Sequence, residues 1–242
     1  MKVAIIVSYD GSKFFGSQSQ SNKSGVADKI YPIFNSLGIN SRLEFSGRTD
    51  AGVHASGQCI SFLLPIHWQN QILKLKEQAN RLLQPDIFIK KIFIVDDNFH
   101  ARFSAKKRLY RYFISTNEFD VFRANYVCHT DSFDLKKAQA ALKCFEGRHD
   151  FKSFCKIGSE PKTTIRTIYK TNVYSPSKNL FVVTFEANSF LRSQIRMMMW
   201  FVLQISKNKR SLEQLEKQLK NQSVSEKNLA PSAGLYLAKI KY

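Results

Sequence analysis

Acidic side chains are scarce in this chain: 19 Asp and Glu stand against 37 Lys and Arg, a formal net charge of +18 at pH 7. Such an excess repels itself unless an anionic partner offsets it, which points to nucleic acid, an anionic membrane surface or crowded phosphates. The imbalance is concentrated late in the chain. Residues 1–100 carry 11 basic and 8 acidic side chains, residues 101–242 carry 26 and 11. Cysteine is sparse as well. Cys59, Cys128, Cys144 and Cys155 form no C-x-x-C and lack the density of a disulfide scaffold, so reduced thiols in the cytoplasm are expected. Long apolar runs are missing: Met197 to Leu203 falls far short of the roughly 20 residues that span a bilayer, and no membrane span is expected. The run Val3 to Val7 stops at Ser8-Tyr9-Asp10, too early for a signal peptide, and reads as a strand. The five histidines (His54, His67, His100, His129, His149) show no H-x-E or H-E-x-x-H spacing, so no metal site is expected. Neither a G-x-x-x-x-G-K-[ST] loop nor G-x-G-x-x-G occurs, which removes the ready nucleotide-cofactor sites and favours a cofactor-free reaction.

What is present is enough to fold. The chain is 43% hydrophobic and 13% aromatic over 242 residues, sufficient for one large core or two smaller ones. Lys2 to Tyr9 reads as a buried strand. Val26, Ile30, Ile33, Phe34 and Leu37 follow helical spacing, with Gly38 as a cap and Pro32 as an expected kink. Strands follow near Arg42 to Phe45 and Gln58 to Leu64, then a helix with Trp68, Ile72, Leu75, Ala79 and Leu82 on one face, then a strand from Ile87 to Val95. The second half repeats this βαββαβ order. It has a strand at Leu109 to Ser115, a helix from Asp134 ended by Gly147, strands at Thr164 to Tyr174 and Leu180 to Ala187, a helix from about Phe190 to Ser206, a helix capped by Ser211 and Gln214, and a last strand from Leu235 to Lys241. The fold class expected is α+β: two tandem ferredoxin-like halves, 1–103 and a strongly basic 104–242, with the seam near residues 100–106.

Four stretches carry chemistry. Ser46-Gly47-Arg48-Thr49-Asp50-Ala51-Gly52-Val53-His54 joins two predicted strands and sets an arginine two residues from an aspartate. Alone that is a turn; functionally it can hold an ionised carboxylate at a sheet edge for nucleophilic or base chemistry. In Lys106 to Tyr112, period two puts Arg108, Tyr110 and Tyr112 on one strand face, either core or a platform for stacked, phosphate-linked bases. Phe190 to Arg196 opens the apolar helix and sets Arg192 and Arg196 one turn apart at its positive end, where cations are disfavoured. Each then needs an anionic partner or must reach water. Asn98 to Ala105 lies at the expected seam, where it is either a linker or the wall of a cleft.

These motifs, in this order, resemble the TruA family of tRNA pseudouridine synthases over nearly the whole chain: Tyr9-Asp10-Gly11 with Phe14, Gly16, Gln18 and Gln20; the Gly47 to His54 loop; Phe99 to Ala105; Tyr110-Arg111-Tyr112; the Arg196 helix; and Gly234 to Leu237. The resemblance implies an antiparallel sheet with a central basic cleft. It also implies Asp50 as the catalytic carboxylate, Tyr110 stacking on the target uracil, and Arg48 and Arg196 as cations around the carboxylate, with Arg102 and Gln18 also on the substrate. It further implies a cytoplasmic homodimer that holds tRNA across both subunits and modifies uridines 38, 39 and 40 of the anticodon arm. Two positions depart from the pattern: Ser17 stands where tryptophan is usual, and Arg192-Ser193 where histidine-like pairs are common. Whether Asp50 acts as nucleophile or base stays open at this level. The rival from another class, a non-catalytic RNA-binding protein, lacks the RNP1 pattern of Lys/Arg-Gly-aromatic-Gly/Ala on any predicted strand. A membrane-surface protein would concentrate its charge on one amphipathic helix, and here the charge is spread over strands and loops.

Overall fold

In the computed structural model, which describes residues 1–159, 161–222 and 226–242, the chain divides into a first unit of Met1–Lys106 with Tyr236–Tyr242 and a second of Lys107–Leu235. Both units mix helix and sheet, and the described residues form ten strands and five α-helices.

The first unit is built on β1 (Lys2–Tyr9). Its apolar run is continuous rather than alternating because both faces are covered: Val3, Ala4, Ile5 and Val7 are all buried. β1 lies between β3 (His54–Leu63) and β4 (Ile87–Val95), antiparallel to each. The other edge of β3 is shared. Short β2 (Glu44–Phe45) pairs antiparallel with its C-terminal half, and β10 (Leu235–Lys241) pairs parallel with His54 and Ala55. Chain order alone assigns that last strand to the second half, but pairing with β3 places Tyr236–Tyr242 in the first unit. Helix α1 (Val26–Ser36) turns Val26, Ala27, Ile30 and Phe34 inward and continues past Pro32. It is followed by Gly38 at φ +77, the left-handed position a C-terminal cap requires. Helix α2 (Ile72–Leu83) buries Leu75, Ala79 and Leu83 at four-residue spacing. Leu82, expected on that face, is exposed instead, and Trp68 sits in a separate 3-10 turn.

In the second unit β5 (Lys107–Ser115), β9 (Leu180–Ala187), β8 (Ile165–Ser177) and β7 (Gly147–Asp150) lie side by side, each antiparallel to its neighbour. Short β6 (Cys128–His129) runs parallel to the end of β5. Among the described pairs within the two units, β6–β5 and β10–β3 are parallel and the others antiparallel. β6 and β7 have no sequence forecast, being too short to show a period. Helices α3 (Leu135–Cys144, capped by Asp134), α4 (Gln194–Ser206) and α5 (Leu212–Leu219, with a Ser211–Gln214 capping box) complete the unit. α4 is apolar nearly all round and accordingly buried. Phe154 meets Phe145, Phe151 and Phe201 at 5.5, 6.1 and 5.9 Å between ring centres. The forecast start of α4 at Phe190 is four residues early. Ser193 takes φ +60 and ψ 8, which interrupts the helical path, and Arg192 falls in the preceding turn. The two arginines are therefore not neighbours on one helix: Arg192 is exposed and Arg196 alone lies in the first turn of α4.

Candidate active site

Asp50 stands half-buried in the loop joining β2 to β3, and that loop is held at three points. At its start, buried Ser46 donates its backbone N–H to Cys59 O at 2.8 Å and its hydroxyl to Gln58 Oε1 at 2.5 Å, while Gln58 Nε2 donates to Gly47 O at 2.8 Å. In the middle, Thr49 N–H donates to Ser17 Oγ at 2.9 Å, Ser17 N–H donates to Thr49 O at 3.1 Å, and Thr49 Oγ1 shares a 2.8 Å hydrogen bond with the Tyr9 hydroxyl. At its end, Gly52 N–H donates to Phe14 O at 3.2 Å, and Val53 N–H closes a turn on Asp50 O at 3.1 Å with Gly52 at φ +74. Arg48 is exposed, and its Nε donates to Gln18 Oε1 at 3.1 Å. Residues 16–18 thus run alongside 48–50.

Below the loop, His54 is buried beneath Tyr236, the rings stacked at 4.5 Å and 18°. Gly11 N–H donates to His54 Nδ1 at 2.9 Å. The same nitrogen lies 3.4 Å from Asp10 Oδ1, so the start of the Tyr9-Asp10-Gly11 stretch and the end of the loop meet at this ring. A side chain at Gly11 would place its Cβ 2.2 Å from Val53 O, so the close approach of the two segments requires glycine there. Tyr9 is buried with its hydroxyl in this network. Burial pushes its pKa up to about 12, against the pull of hydrogen bonds from Thr49 and Gln58.

Arg102 also belongs to the first unit. It is exposed, its guanidinium lies 5.7 Å from the centre of the Phe103 ring, and its backbone N–H donates to His100 Nδ1 at 3.1 Å. The segment is fixed to β3 by Ala101 N–H donating to Ser61 Oγ at 3.0 Å, and Ser61 in turn donates to Glu44 at 2.8 Å. Burial works to raise the Glu44 carboxyl. The hydrogen bonds from Ser61 and Lys2 and the charges of His100 and Lys2 outweigh it and hold the pKa below its ordinary value.

Tyr110 and Arg196 lie in the second unit. Tyr110, on β5, is 7% exposed and meets Phe190 edge-on at 5.3 Å. Tyr112, on the same face, is fully buried and donates its hydroxyl to Pro231 O at 2.8 Å, so this member of the tyrosine face is core and not an open stacking surface. Arg196 is half-buried. Its Nε donates to Ala230 O at 2.8 Å, and Ala230 N–H donates back to Arg196 O at 3.0 Å. At Nε, then, Arg196 meets a backbone carbonyl, where the sequence reading offered an anionic partner or water. Structure thus sets Asp50 and Arg48 in one loop with Gln18 on the segment alongside, places Arg102 in the same unit, and places Tyr110 and Arg196 within the second unit. Sequence reasoning missed the anchoring roles of Ser17, Thr49, Tyr9 and Gln58. Tyr9 and Thr49 fall inside recognised motifs, but nothing local pairs them.

The family described as tRNA pseudouridine synthase matches residues 141–242 of this chain. A curated tRNA pseudouridine synthase A of Campylobacter jejuni subsp. jejuni is 43% identical over 242 residues, covering 100% of both chains. One of Wolinella succinogenes is 38% identical over 234 residues, covering 97% of this chain and 92% of that one. Among solved structures, a Cbf5-Nop10-Gar1 complex aligns with a TM-score of 0.35 at 14% identity, over 81% of this chain and 44% of that one.

Proposed function

The chain belongs to the tRNA pseudouridine synthase A family and isomerises uridine in tRNA, and from that premise we propose that Asp50 is its catalytic carboxylate. The isomerisation breaks the C1′–N1 bond of uridine, turns the uracil, and joins C5 to C1′. The C5 proton leaves and N1 gains one, so the formula is unchanged. The target nucleotide must leave the helical stack before any of this can happen. A carboxylate can serve here as nucleophile or as base, and either role needs it ionised and held in one place. The observation that carries the assignment is the three-point anchoring of the 46–53 loop, which fixes the backbone on both sides of Asp50.

In the same reading Arg48, Arg102 and Arg196 supply cations for the carboxylate and the RNA phosphates, Gln18 aims Arg48 through their 3.1 Å hydrogen bond, and Tyr110 stacks on the uracil as it turns. The substrate is the anticodon arm of tRNA at uridines 38, 39 and 40, bound across a cytoplasmic homodimer. Both halves are read as ferredoxin-like. In the first unit β4, β1, β3 and β2 lie in that spatial order with α1 and α2 between them in sequence, which supports the reading. In the second, β5, α3, β8, β9 and α4 follow the first five elements of the scheme, with β6 and β7 added and no sixth strand among the described residues of the unit. The four cysteines are free, which suits a reducing compartment. No helix among the described residues is long and apolar enough to cross a membrane.

Asp50→Asn tests the assignment. With unmodified tRNA transcript, pseudouridine mapped by carbodiimide reactivity should vanish, while tRNA affinity stays within a few fold because the basic surface is intact. Product formation near the parent rate would remove Asp50 from the chemistry.

A further inference from the structure

We propose that Ser17 is a positioning residue for Asp50, its hydroxyl and backbone setting the two peptide planes that lead into the carboxylate. The inference rests on the Asp50 assignment above. Each peptide unit is rigid and planar, so fixing one polar atom of a unit constrains the whole plane. Ser17 holds one atom of each plane that flanks Thr49. Its Oγ accepts from Thr49 N at 2.9 Å, fixing the 48–49 plane, and its own N–H donates to Thr49 O at 3.1 Å, fixing the 49–50 plane. With both planes set, the direction of the chain at Asp50 Cα is set.

Ser17 is suited to this by its own surroundings. It is fully buried, so no water competes for the Thr49 amide, and its carbonyl is itself held by Ala27 N–H at 3.2 Å at the start of α1. The residue before it must be glycine: Gly16 takes φ +103, and a Cβ there would lie 2.8 Å from Thr49 O. The residue after it, Gln18, holds Arg48. The hydroxyl cannot be exchanged for the indole usual at this place in the resembled motif, because an indole N–H donates and has no acceptor to offer the Thr49 amide. Ser17 therefore aims the loop in a way that an indole at this place has no atom to do.

Ser17→Ala and Ser17→Thr, assayed beside Asp50→Asn on tRNA transcript, test this. Loss of the acceptor should lower kcat roughly ten- to a hundredfold, the range for small misplacement of a reacting group. KM for tRNA should stay within about twofold, because phosphate contacts are untouched. Hydrogen exchange at the Thr49 amide should speed up in Ser17→Ala, and Ser17→Thr, which keeps the acceptor, should restore both kcat and protection. If Ser17→Ala melts below the assay temperature, Ser17→Cys, similar in size and a weaker acceptor, takes its place and must show the same fall in kcat. The inference is overturned if kcat is unchanged, if KM rises as much as kcat falls, or if Ser17→Thr is as impaired as Ser17→Ala at equal melting temperature. An active Asp50→Asn overturns the Asp50 assignment instead; an inactive Asp50→Asn beside a fully active Ser17→Ala overturns only the role of Ser17.

Discussion

Removing the Tyr9 hydroxyl should change stability in opposite directions at neutral and at high pH. Tyr9 is 5% exposed and burial pushes its pKa from the ordinary 10.0 up to about 12. A folded pKa above the unfolded one means that the neutral phenol is favoured by folding. That contribution is fully present below pH 10 and is lost as pH rises through 12. At about 1.36 kcal/mol per pKa unit the whole loss is bounded near about 2.7 kcal/mol, of which about 1.4 kcal/mol is gone by pH 11. Tyr9→Phe has no such titration, but it gives up the 2.8 Å bond to Thr49 Oγ1, worth about 1 kcal/mol. The variant should thus be the less stable protein by about 1 kcal/mol at pH 7 and the more stable one above roughly pH 11. Urea unfolding followed by circular dichroism at a series of pH values between 7 and 11.5 measures both limbs. Tyr112, whose pKa burial also raises, titrates in both proteins and cancels in the comparison. Curves that stay parallel, with no crossing, would refute the placement of this hydroxyl in a water-free network.

Asn80→Ala should destabilise the first unit by about 3 kcal/mol in urea unfolding, because Asn80 donates to Ile89 O at 3.0 Å and accepts from Ile89 N at 2.6 Å, leaving two buried backbone groups unpaired when it goes; a loss below half that value would mean the edge of β4 finds other partners. Affinity for tRNA should fall linearly on a log–log plot against salt, as release of condensed counterions requires of a +18 chain. A flat response in a filter-binding titration would contradict the electrostatic reading.

Elements whose signal is local were legible from residues alone. Strand β9 falls at Leu180–Ala187 and β10 at Leu235–Lys241 as the apolar pattern predicts, and the capping pairs Asp134–Lys137 and Ser211–Gln214 mark the starts of α3 and α5. The failures share a cause. β6 pairs only two residues and β7 four, too few for a period to show. The sequence sets the start of α4 too early because Phe190, Leu191 and Ile195 continue its helical spacing, while the left-handed Ser193 that cuts it is an unusual conformation for serine that no neighbouring residue announces. Placing β10 in the first unit depends on pairing with a strand more than 170 positions earlier, which chain order cannot reveal.

The site divides along the same line between local and distant information. Asp50, Arg48 and Gly52 stand together in one short loop, so their types and spacing suffice to single them out. What aims that loop comes from far along the chain: Tyr9 and Ser17 reach Thr49 across 40 and 32 positions, and Gln18 reaches Arg48 across 30. Each of those partners is an unremarkable residue by type. Tyr9 reads as the end of a buried strand, and Ser17 reads as the absence of a tryptophan. Only the spatial pairing turns the second into a presence, because a buried amide must find an acceptor and serine supplies one where an indole has none. A departure from a motif is therefore ambiguous until the atom it adds is located: a Ser17 Oγ facing solvent would add nothing to the loop, and one at 2.9 Å from the Thr49 amide adds the acceptor that holds it.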